Sequence, residues 1–343
     1  MLIIMLKLFS ISLLCTAMGL AFWSQHTHQA APADAQMLPP VPAPPEELGK
    51  VAWLRDLEAG QKEAAKSGKP MLILFQEVPG CSNCTRYGNA VLSHPLIVEA
   101  IESCFVPVCI YNNLGGKDAA ALKRFGEPAW DNPVVRIVSS DCRDLVLRMD
   151  NFRSTLQLLG GMRRALEITG RAVPTYLDLL EEEYAAREGG IETATFSMFC
   201  FWSGEGAFGR IKGVIETEPG FQDGKEVVRV QFAPAVVSRA DLEKMGQPQG
   251  MTACSKGEGF RRDREPKYYL AQTDYRHLPM TTLQACRANS LVGNHALPDS
   301  LLSPRQLLLL QQVRQQPKRA WKNMIGRKDL PKAWDEAQAA AAG

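Results

Sequence analysis

Cys200 lies where a predicted β-strand meets a predicted helix, and two aromatic residues follow it directly. Thr193 to Met198 is β-prone and Gly204 to Ile211 favours a helix, so Cys200 is expected near a helix N-terminus. Free backbone N–H groups and the positive end of the helix dipole stabilise a thiolate at that position. Phe201 and Trp202 would form an apolar wall beside this nucleophile. The segment alone leaves open a second interpretation, in which the cysteine is a small buried apolar residue and the aromatic pair belongs to the core.

A Cys-x-x-Cys motif, formed by Cys81 and Cys84, indicates a second redox site. It follows the apolar run Met71 to Phe75 and precedes a segment that can be helical. At a strand-to-helix junction the first sulfur stays exposed as a thiolate, and the second attacks the mixed disulfide. This predicts Cys81 as nucleophile and Cys84 as resolving thiol. The alternative, half of a zinc site, is disfavoured because no second Cys/His pair stands at ligand spacing.

Residues 192 to about 290 resemble the A-type peptide methionine sulfoxide reductases, whose pattern is a β-strand, then Gly-Cys-Phe-Trp-Gly and a glutamate. The resemblance implies an α+β domain that reduces a sulfoxide without a cofactor or metal. It implies Cys200 as nucleophile, Glu226 as the acid that protonates the sulfoxide oxygen, and Phe201 with Trp202 as the pocket for the S-methyl group. Attack would leave a sulfenic acid on the cysteine and release methionine, after which a second thiol must reduce the enzyme.

The sequence departs from that family's pattern at several positions. Phe199 and Ser203 replace the glycines that flank Cys-Phe-Trp, and Phe221 replaces the tyrosine of a Gly-Tyr element, which removes one hydroxyl donor to the sulfoxide oxygen. The family's Asp-x-Gly-x-Gln-Tyr element is not intact, but Asp263 and Tyr268 keep its spacing from acid to tyrosine. Tyr268 is therefore a candidate for the remaining phenol donor, and the alternative is that both residues are solvated loop residues.

Three cysteines are candidates for the thiol that resolves Cys200. Cys254 stands among glycines, a mobile setting that suits a recycling cysteine, and we include it among the catalytic candidates. Cys286 lies in a helix-like segment and is interpreted as packing. Cys81 could attack directly, because a covalent tether raises its effective concentration towards about the millimolar range.

The first half of the chain resembles the thioredoxin-like family, which implies an α/β fold. The resemblance rests on the helix-like Trp53 to Lys66, the strand Phe105 to Tyr111 and the Cys-x-x-Cys between them. Asn132-Pro133 precedes another strand-like run, and the resemblance implies that Pro133 is a cis proline facing the cysteines. Pro79-Gly80 stands where the family has a tryptophan before the first cysteine, which alters the surface offered to redox partners rather than the fold.

The N-terminus predicts a membrane-targeting segment, because Lys7 precedes the apolar run Leu8 to Trp23. Cleavage as a signal peptide and retention as an anchor both place the rest of the chain outside the cytoplasm, secreted or anchored, and in the periplasm if the source is bacterial. A proline-rich stretch follows, and Glu181 to Gly190 is expected to join the two domains. The predicted segments are 1–24, signal peptide or anchor; 25–48, proline-rich linker; 49–188, thioredoxin-like domain; 189–300, sulfoxide-reductase-like domain; 301–343, helical C-terminal extension.

The composition fits two cores and excludes a nucleic-acid-binding footprint, since 39 basic residues face 37 acidic ones in 343 residues. The sequence therefore predicts reduction of methionine (S)-sulfoxide in exported proteins or peptides, with electrons from an upstream thiol reductant. The membrane is a partner if the N-terminal segment is uncleaved. Two alternatives stay open: a thiol-disulfide oxidoreductase whose second domain only binds substrates, and a degenerate methionine-binding module.

Overall fold

The computed structural model describes residues 45–342 apart from 151–153 and 255–258. The predicted signal or anchor segment and most of the proline-rich linker lie outside these residues. Among the helices of the described part of the chain, none combines the length and the apolar character that crossing a bilayer requires.

The first lobe, residues 45–189, is built on a three-stranded sheet. Its elements in chain order are α1 (Leu57–Ser67), β1 (Met71–Gln76), α2 (Ser82–Ala90), α3 (Pro95–Cys104), β2 (Val106–Tyr111), α4 (Lys117–Phe125), β3 (Val134–Val138), α5 (Thr155–Ile168) and α6 (Thr175–Gly189). The strand order is β2-β1-β3, with β1 parallel to β2 and antiparallel to β3.

The central strand β1 is buried along its whole length, which explains why its sequence is an unbroken apolar run. Successive side chains of a strand point to opposite faces. Leu72 and Leu74 accordingly join a core formed with α3, α5 and α6, whereas Ile73 and Phe75 join a second core formed with α1 and α4. Helices on both faces of the sheet confirm the predicted α/β class for this lobe.

The second lobe, residues 190–342, is built on a five-stranded sheet. Its elements are β4 (Glu192–Ser197), α7 (Phe201–Phe208), β5 (Val214–Gln222), β6 (Lys225–Phe232), α8 (Arg239–Gly246), β7 (Thr252–Ala253), β8 (Arg261–Arg262), α9 (Tyr268–Ala271), α10 (Thr282–Gly293), α11 (Pro304–Gln315) and α12 (Leu330–Ala342). The strand order is β7-β4-β6-β5-β8, and every neighbouring pair is antiparallel. The arrangement confirms the predicted α+β class.

One face of this sheet, which we call the inner face, carries the helices. Phe196, Val228 and Val230 of this face form a core with Phe208 of α7 and Leu242 of α8. Because side chains alternate along β6, Glu226 lies on the same face as Val228. Phe221 pairs with Glu226 across β5 and β6 and therefore also lies on the inner face. The sheet thus brings both predicted site residues to the side on which α7 packs.

The predicted joint between the domains, Glu181 to Gly190, is mostly helical and belongs to α6. Tyr176 and Leu180 of this helix are buried in the first lobe's core, whereas Leu179 and Ala186 cluster with buried side chains of the second lobe. Helix α6 therefore packs in the cores of both lobes and joins them as a rigid element.

Two acidic residues of α6 bind the second lobe directly. Glu183 accepts a hydrogen bond from the backbone N–H of Leu283 at 2.9 Å, at the start of α10, where a carboxylate also interacts favourably with the helix dipole. Glu182 accepts from the N–H of Gly213 at 3.0 Å and from the guanidinium of Arg287 at 3.0 Å. Polar contacts therefore add to the apolar packing that joins the lobes.

The predicted helical C-terminal extension packs against both lobes. Leu310 of α11 lies in a core of the second lobe, but the backbone N–H of Arg305 donates to Glu99 of α3 at 2.7 Å, and its side chain pairs with Glu102. Leu330, the first residue of α12, is buried in the first lobe's core. The extension therefore packs against the first lobe as well as the second.

Candidate active site

Cys200 is the N-cap residue of α7, with extended backbone angles of φ −136° and ψ 114°, and its side chain is half-buried. The backbone N–H of Phe201, the first residue of the helix, donates to Glu226 Oε2 at 3.0 Å. This contact places the predicted acid beside the predicted nucleophile. Phe199, immediately before the cysteine, is 99% exposed and marks the open side of the site.

An aromatic wall flanks the cysteine. The indole of Trp202 stacks on the Tyr268 ring with 3.7 Å between centroids and 10° between planes. Phe201 meets Trp202 edge-on at 5.5 Å and Phe221 edge-on at 5.3 Å. Tyr268 therefore lies in the site, on a segment far from Cys200 in sequence. Such a wall suits a methyl or thioether group, because aromatic rings contact sulfur and methyl groups favourably.

The indole nitrogen of Trp202 is buried and has no hydrogen-bond acceptor among the residues that the structure describes. Buried donors are normally paired with protein or water.

Asp263 has a different environment from Tyr268. Its backbone N–H donates to Pro219 O at 2.8 Å, and its carboxylate accepts from the N–H of Glu265 at 3.0 Å. These contacts fix the turn between β8 and α9. The structure thus gives Asp263 a role in shaping the segment that carries Tyr268.

The structure does not bring Cys254 to Cys200. The backbone N–H of Cys254 donates to Thr195 O at 2.8 Å, just after the register pair of Ala253 with Phe196. Phe196 points to the inner face, so strand alternation directs Cys254 to the outer one. Its setting is a paired sheet edge rather than the mobile loop expected from the neighbouring glycines. Reaching Cys200 from there would require the pairing with β4 to break.

Cys286, interpreted from the sequence as packing, is fully buried in the inner-face core, and burial raises the pKa of its thiol. A buried thiol with a raised pKa is a poor nucleophile. Its place in the core confirms the packing interpretation.

Sequence reasoning missed a buried ion pair beneath the aromatic wall. Lys267 Nζ lies 3.3 Å from Glu205 Oε1 and also donates to the backbone carbonyl of Thr217. Both charged side chains are almost completely buried. Burial lowers the pKa of Lys267, but the surrounding acidic groups, Glu205 foremost, together outweigh it, and the pKa lies above its usual value. Glu205 lies in α7, the helix that Cys200 caps, and Lys267 directly precedes Tyr268. The pair therefore connects the helix of the nucleophile to the segment that carries Tyr268.

This pair could have been suspected only from the glutamate in α7, since nothing in the sequence places Lys267 opposite it. Lys267 also adopts a left-handed backbone conformation, φ 57°, which is uncommon for a residue with a side chain. The pair and the backbone conformation together direct Tyr268 towards Trp202.

We expect Lys267→Met to lower the free energy of unfolding by about 3 kcal/mol, because it leaves the Glu205 carboxylate buried without its cation. Urea unfolding followed by circular dichroism measures this loss. Lys225→Met, which removes an exposed lysine from the same lobe, is the matched control and should change stability little. Adding Glu205→Gln to Lys267→Met should restore part of the loss. Equal stability of the two lysine variants would show that the buried pair does not support the fold.

The Cys-x-x-Cys lies at the start of α2, as predicted. Cys81 is the N-cap residue, half-buried, and its sulfur accepts the backbone N–H of Cys84 at 3.3 Å. Cys84 is buried, and this burial raises the pKa of its thiol well above the usual range. Its S–H donates to Asn132 Oδ1 at 3.0 Å. The peptide bond between Asn132 and Pro133 is cis.

The two cysteines therefore differ in exposure, as thiol exchange requires of an attacking and a resolving thiol. Cys81 is accessible and receives an N–H donor, whereas Cys84 is covered and held protonated. Among the described residues, no three His, Cys, Asp or Glu side chains converge in a way that could hold a metal ion.

The chain is similar to two groups of known proteins. Residues 52–140 match the family model described as Thioredoxin-like. The chain is also 41% identical over 68 residues to the peptide methionine sulfoxide reductase MsrA of Methanococcus maripaludis, covering 15% of this chain and 43% of that protein. It is 32% identical over 80 residues to MsrA 1 of Nostoc, covering 18% and 49%.

A third relative, MsrA of Streptomyces griseus, is 31% identical over 107 residues, with 26% of this chain and 46% of that protein covered. The chain thus spans a little under half the length of these curated relatives. Residues 52–140 form a thioredoxin-like domain, and the chain is in addition similar, over part of its length, to peptide methionine sulfoxide reductases.

Proposed function

We propose that this protein reduces methionine (S)-sulfoxide in exported proteins or peptides, with Cys200 as nucleophile and the thioredoxin-like domain as the source of electrons. The observation that carries the proposal is the contact between the Phe201 N–H and Glu226. It joins a helix N-terminal cysteine, a carboxyl group and an aromatic wall within one site. Preference for the S-epimer is supported by the resemblance to the A-type reductases.

The chemistry follows from these groups. The Cys200 thiolate attacks the sulfoxide sulfur while the Glu226 carboxylic acid gives its proton to the sulfoxide oxygen. The oxygen ends on Cys200 as a sulfenic acid, methionine leaves as a thioether, and Glu226 remains as a carboxylate. Trp202 and Phe201 hold the methyl group, and the Tyr268 hydroxyl is the second candidate donor to the oxygen.

An assay with the two epimers tests the activity. The purified full chain is incubated with the S- or the R-epimer of a methionine sulfoxide peptide and dithiothreitol, and methionine formation is followed by chromatography. We expect turnover of the S-epimer only. Turnover of neither epimer, with insulin disulfides still reduced, would favour the second candidate function, a thiol-disulfide oxidoreductase whose second lobe only binds substrates. This second candidate function is supported by the Cys81–Cys84 pair, which has both thiols that disulfide exchange requires.

We further propose that Cys81 reduces the Cys200 centre. The Cys81 thiolate attacks the sulfenic sulfur, the S–O bond breaks, and a disulfide joins Cys81 to Cys200. The oxygen leaves as hydroxide, which takes a proton from solvent to become water. Cys84 then attacks Cys81, which frees the Cys200 thiol and leaves a Cys81–Cys84 disulfide for an upstream thiol reductant. The outer-face position of Cys254 supports this direct route over one through Cys254.

Cys84→Ala should trap the intermediate, because the thiol that releases Cys81 is removed. After one turnover with methionine sulfoxide and thiol blocking, peptide mapping should show a disulfide between Cys81 and Cys200. Cys109→Ala, which removes another buried thiol of the same lobe, is the control and should accumulate none. If Cys81 is found joined only to foreign proteins, the two domains work independently.

An extracytoplasmic location, secreted or anchored by the N-terminus, is part of the proposal. Its support is the apolar run Leu8 to Trp23 and the proline-rich stretch that follows. Fractionation of cells that express the full chain, with protease added from outside, tests it. Protection of the protein in intact spheroplasts would contradict the proposed location.

A further inference from the structure

Three residues stand side by side across the sheet beneath the candidate active site. In the β6–β5 register Glu226 pairs with Phe221, and in the β5–β8 register Phe221 pairs with Arg261. Directly paired residues on neighbouring strands point to the same face. The three side chains therefore form a row on the inner face. Glu226 lies at one end, beside the start of α7, Phe221 lies in the middle, and Arg261 lies at the edge of the sheet.

The guanidinium of Arg261 lies over the face of the Phe221 ring, with its carbon 4.7 Å from the ring centroid. The same ring also packs edge-on against Phe201, the residue directly after the nucleophile. Arg261 is exposed, so the row runs from Glu226, beside the start of α7, out to solvent. The stacking holds the charge at the end of the aromatic wall.

Among the residues that the structure describes, Arg261 and Arg264 are the exposed arginines of this segment that make no ion pair, and Arg261 is the one that stacks on the Phe221 ring. Its neighbour Arg262 pairs with Glu218 on the outer face, and Arg229 pairs with the same carboxylate. For Arg261 no carboxylate lies within ion-pair distance in the described part of the chain. A guanidinium presents planar paired donors that match a carboxylate.

We propose that Arg261 binds a carboxylate of the substrate chain, so that the site prefers oxidised methionine close to an acidic residue. Strands are spaced roughly 5 Å apart, which puts Arg261 about 10 Å from Glu226 across the row. An extended peptide advances roughly 3.3 Å per residue, so the acidic residue lies within about three positions of the oxidised methionine. This inference rests on the proposed function and specifies its substrate class.

The test compares two sulfoxide peptides that differ only in having Asp or Asn two residues after the oxidised methionine. The full chain should show a kcat/KM about fivefold higher for the Asp peptide, as expected for one partly exposed ion pair. Arg261→Gln should abolish the preference and Arg261→Lys should keep part of it. Arg264→Gln, which removes an exposed arginine of the same segment, is the matched control and should keep all of it. The preference should also decrease as salt is raised.

A second measurement does not depend on turnover. The same two peptides are titrated against Cys200→Ser and against Cys200→Ser with Arg261→Gln, and binding is followed by tryptophan fluorescence. The Asp peptide should bind more tightly only when Arg261 is present. Equal affinities with Arg261 present, or an Asp preference that persists in Arg261→Gln, would overturn the inference. Absence of S-epimer turnover together with an Arg261-dependent binding preference would instead overturn the proposed function alone.

Discussion

Replacing Cys200 by serine should abolish methionine sulfoxide reduction and leave the reduction of insulin disulfides by Cys81 intact. A serine hydroxyl stays protonated at neutral pH and cannot replace a thiolate as the attacking group. The substitution removes a half-buried sulfur at a helix N-cap, where serine is also well tolerated. The loss of activity would therefore report on chemistry rather than on folding.

Cys254→Ser is the matched control for this experiment. Cys254 is also half-buried but lies on the outer face, so with dithiothreitol as reductant this variant should turn over like the unchanged protein. Retained sulfoxide reduction in Cys200→Ser, or an equal loss in both variants, would remove Cys200 from the role of nucleophile.

Glu226→Gln should lower kcat/KM for the sulfoxide. The expected loss of transition-state stabilisation is about 2 to 4 kcal/mol, the scale measured for one polar stabiliser in a closed site. Glutamine retains an oxygen that can accept the Phe201 N–H, so the start of α7 should keep its geometry. The proton that the sulfoxide oxygen requires is what the variant lacks. Steady-state rates between pH 5 and pH 9 measure the effect, which corresponds to a loss of about thirtyfold to about nine-hundredfold.

The shape of the pH profile gives an independent check on this assignment. Since the proposed proton donor is absent from Glu226→Gln, the lost rate should not be recovered at any pH. Glu216→Gln, which changes a carboxylate on the outer face of the same sheet, should leave both the rate and the profile unchanged. A rate for Glu226→Gln equal to that of the unchanged protein at all pH values would exclude Glu226 as the proton donor.

Local sequence patterns were sufficient to predict the elements that carry the two cysteine sites. The β-prone stretch ending at Met198 corresponds to β4, which ends at Ser197. The helix expected over Gly204 to Ile211 begins three residues earlier, at Phe201, and ends at Phe208, so Cys200 is its N-cap. The buried run before Cys81 is β1, and that cysteine is the N-cap of α2. Periodicity and capping act over a few residues, so a single segment contains the information that they require.

Features that depend on contacts between distant segments could not be predicted in the same way. The ion pair of Lys267 with Glu205 joins residues 62 positions apart, and the position of Arg261 over Phe221 depends on a two-residue strand at the sheet edge. The outer-face position of Cys254 follows from register, which neighbouring glycines do not reveal. Tertiary pairing, rather than local propensity, decides these contacts.

The position of Leu330 determines when the core of the first lobe can be completed during folding. This side chain comes from the last helix of the chain but is buried in the first lobe's core. During synthesis the first lobe therefore emerges long before a part of its own interior exists. Its core can close fully only after the five-stranded lobe and α12 have followed, so a first lobe produced without them would lack one of its own core side chains.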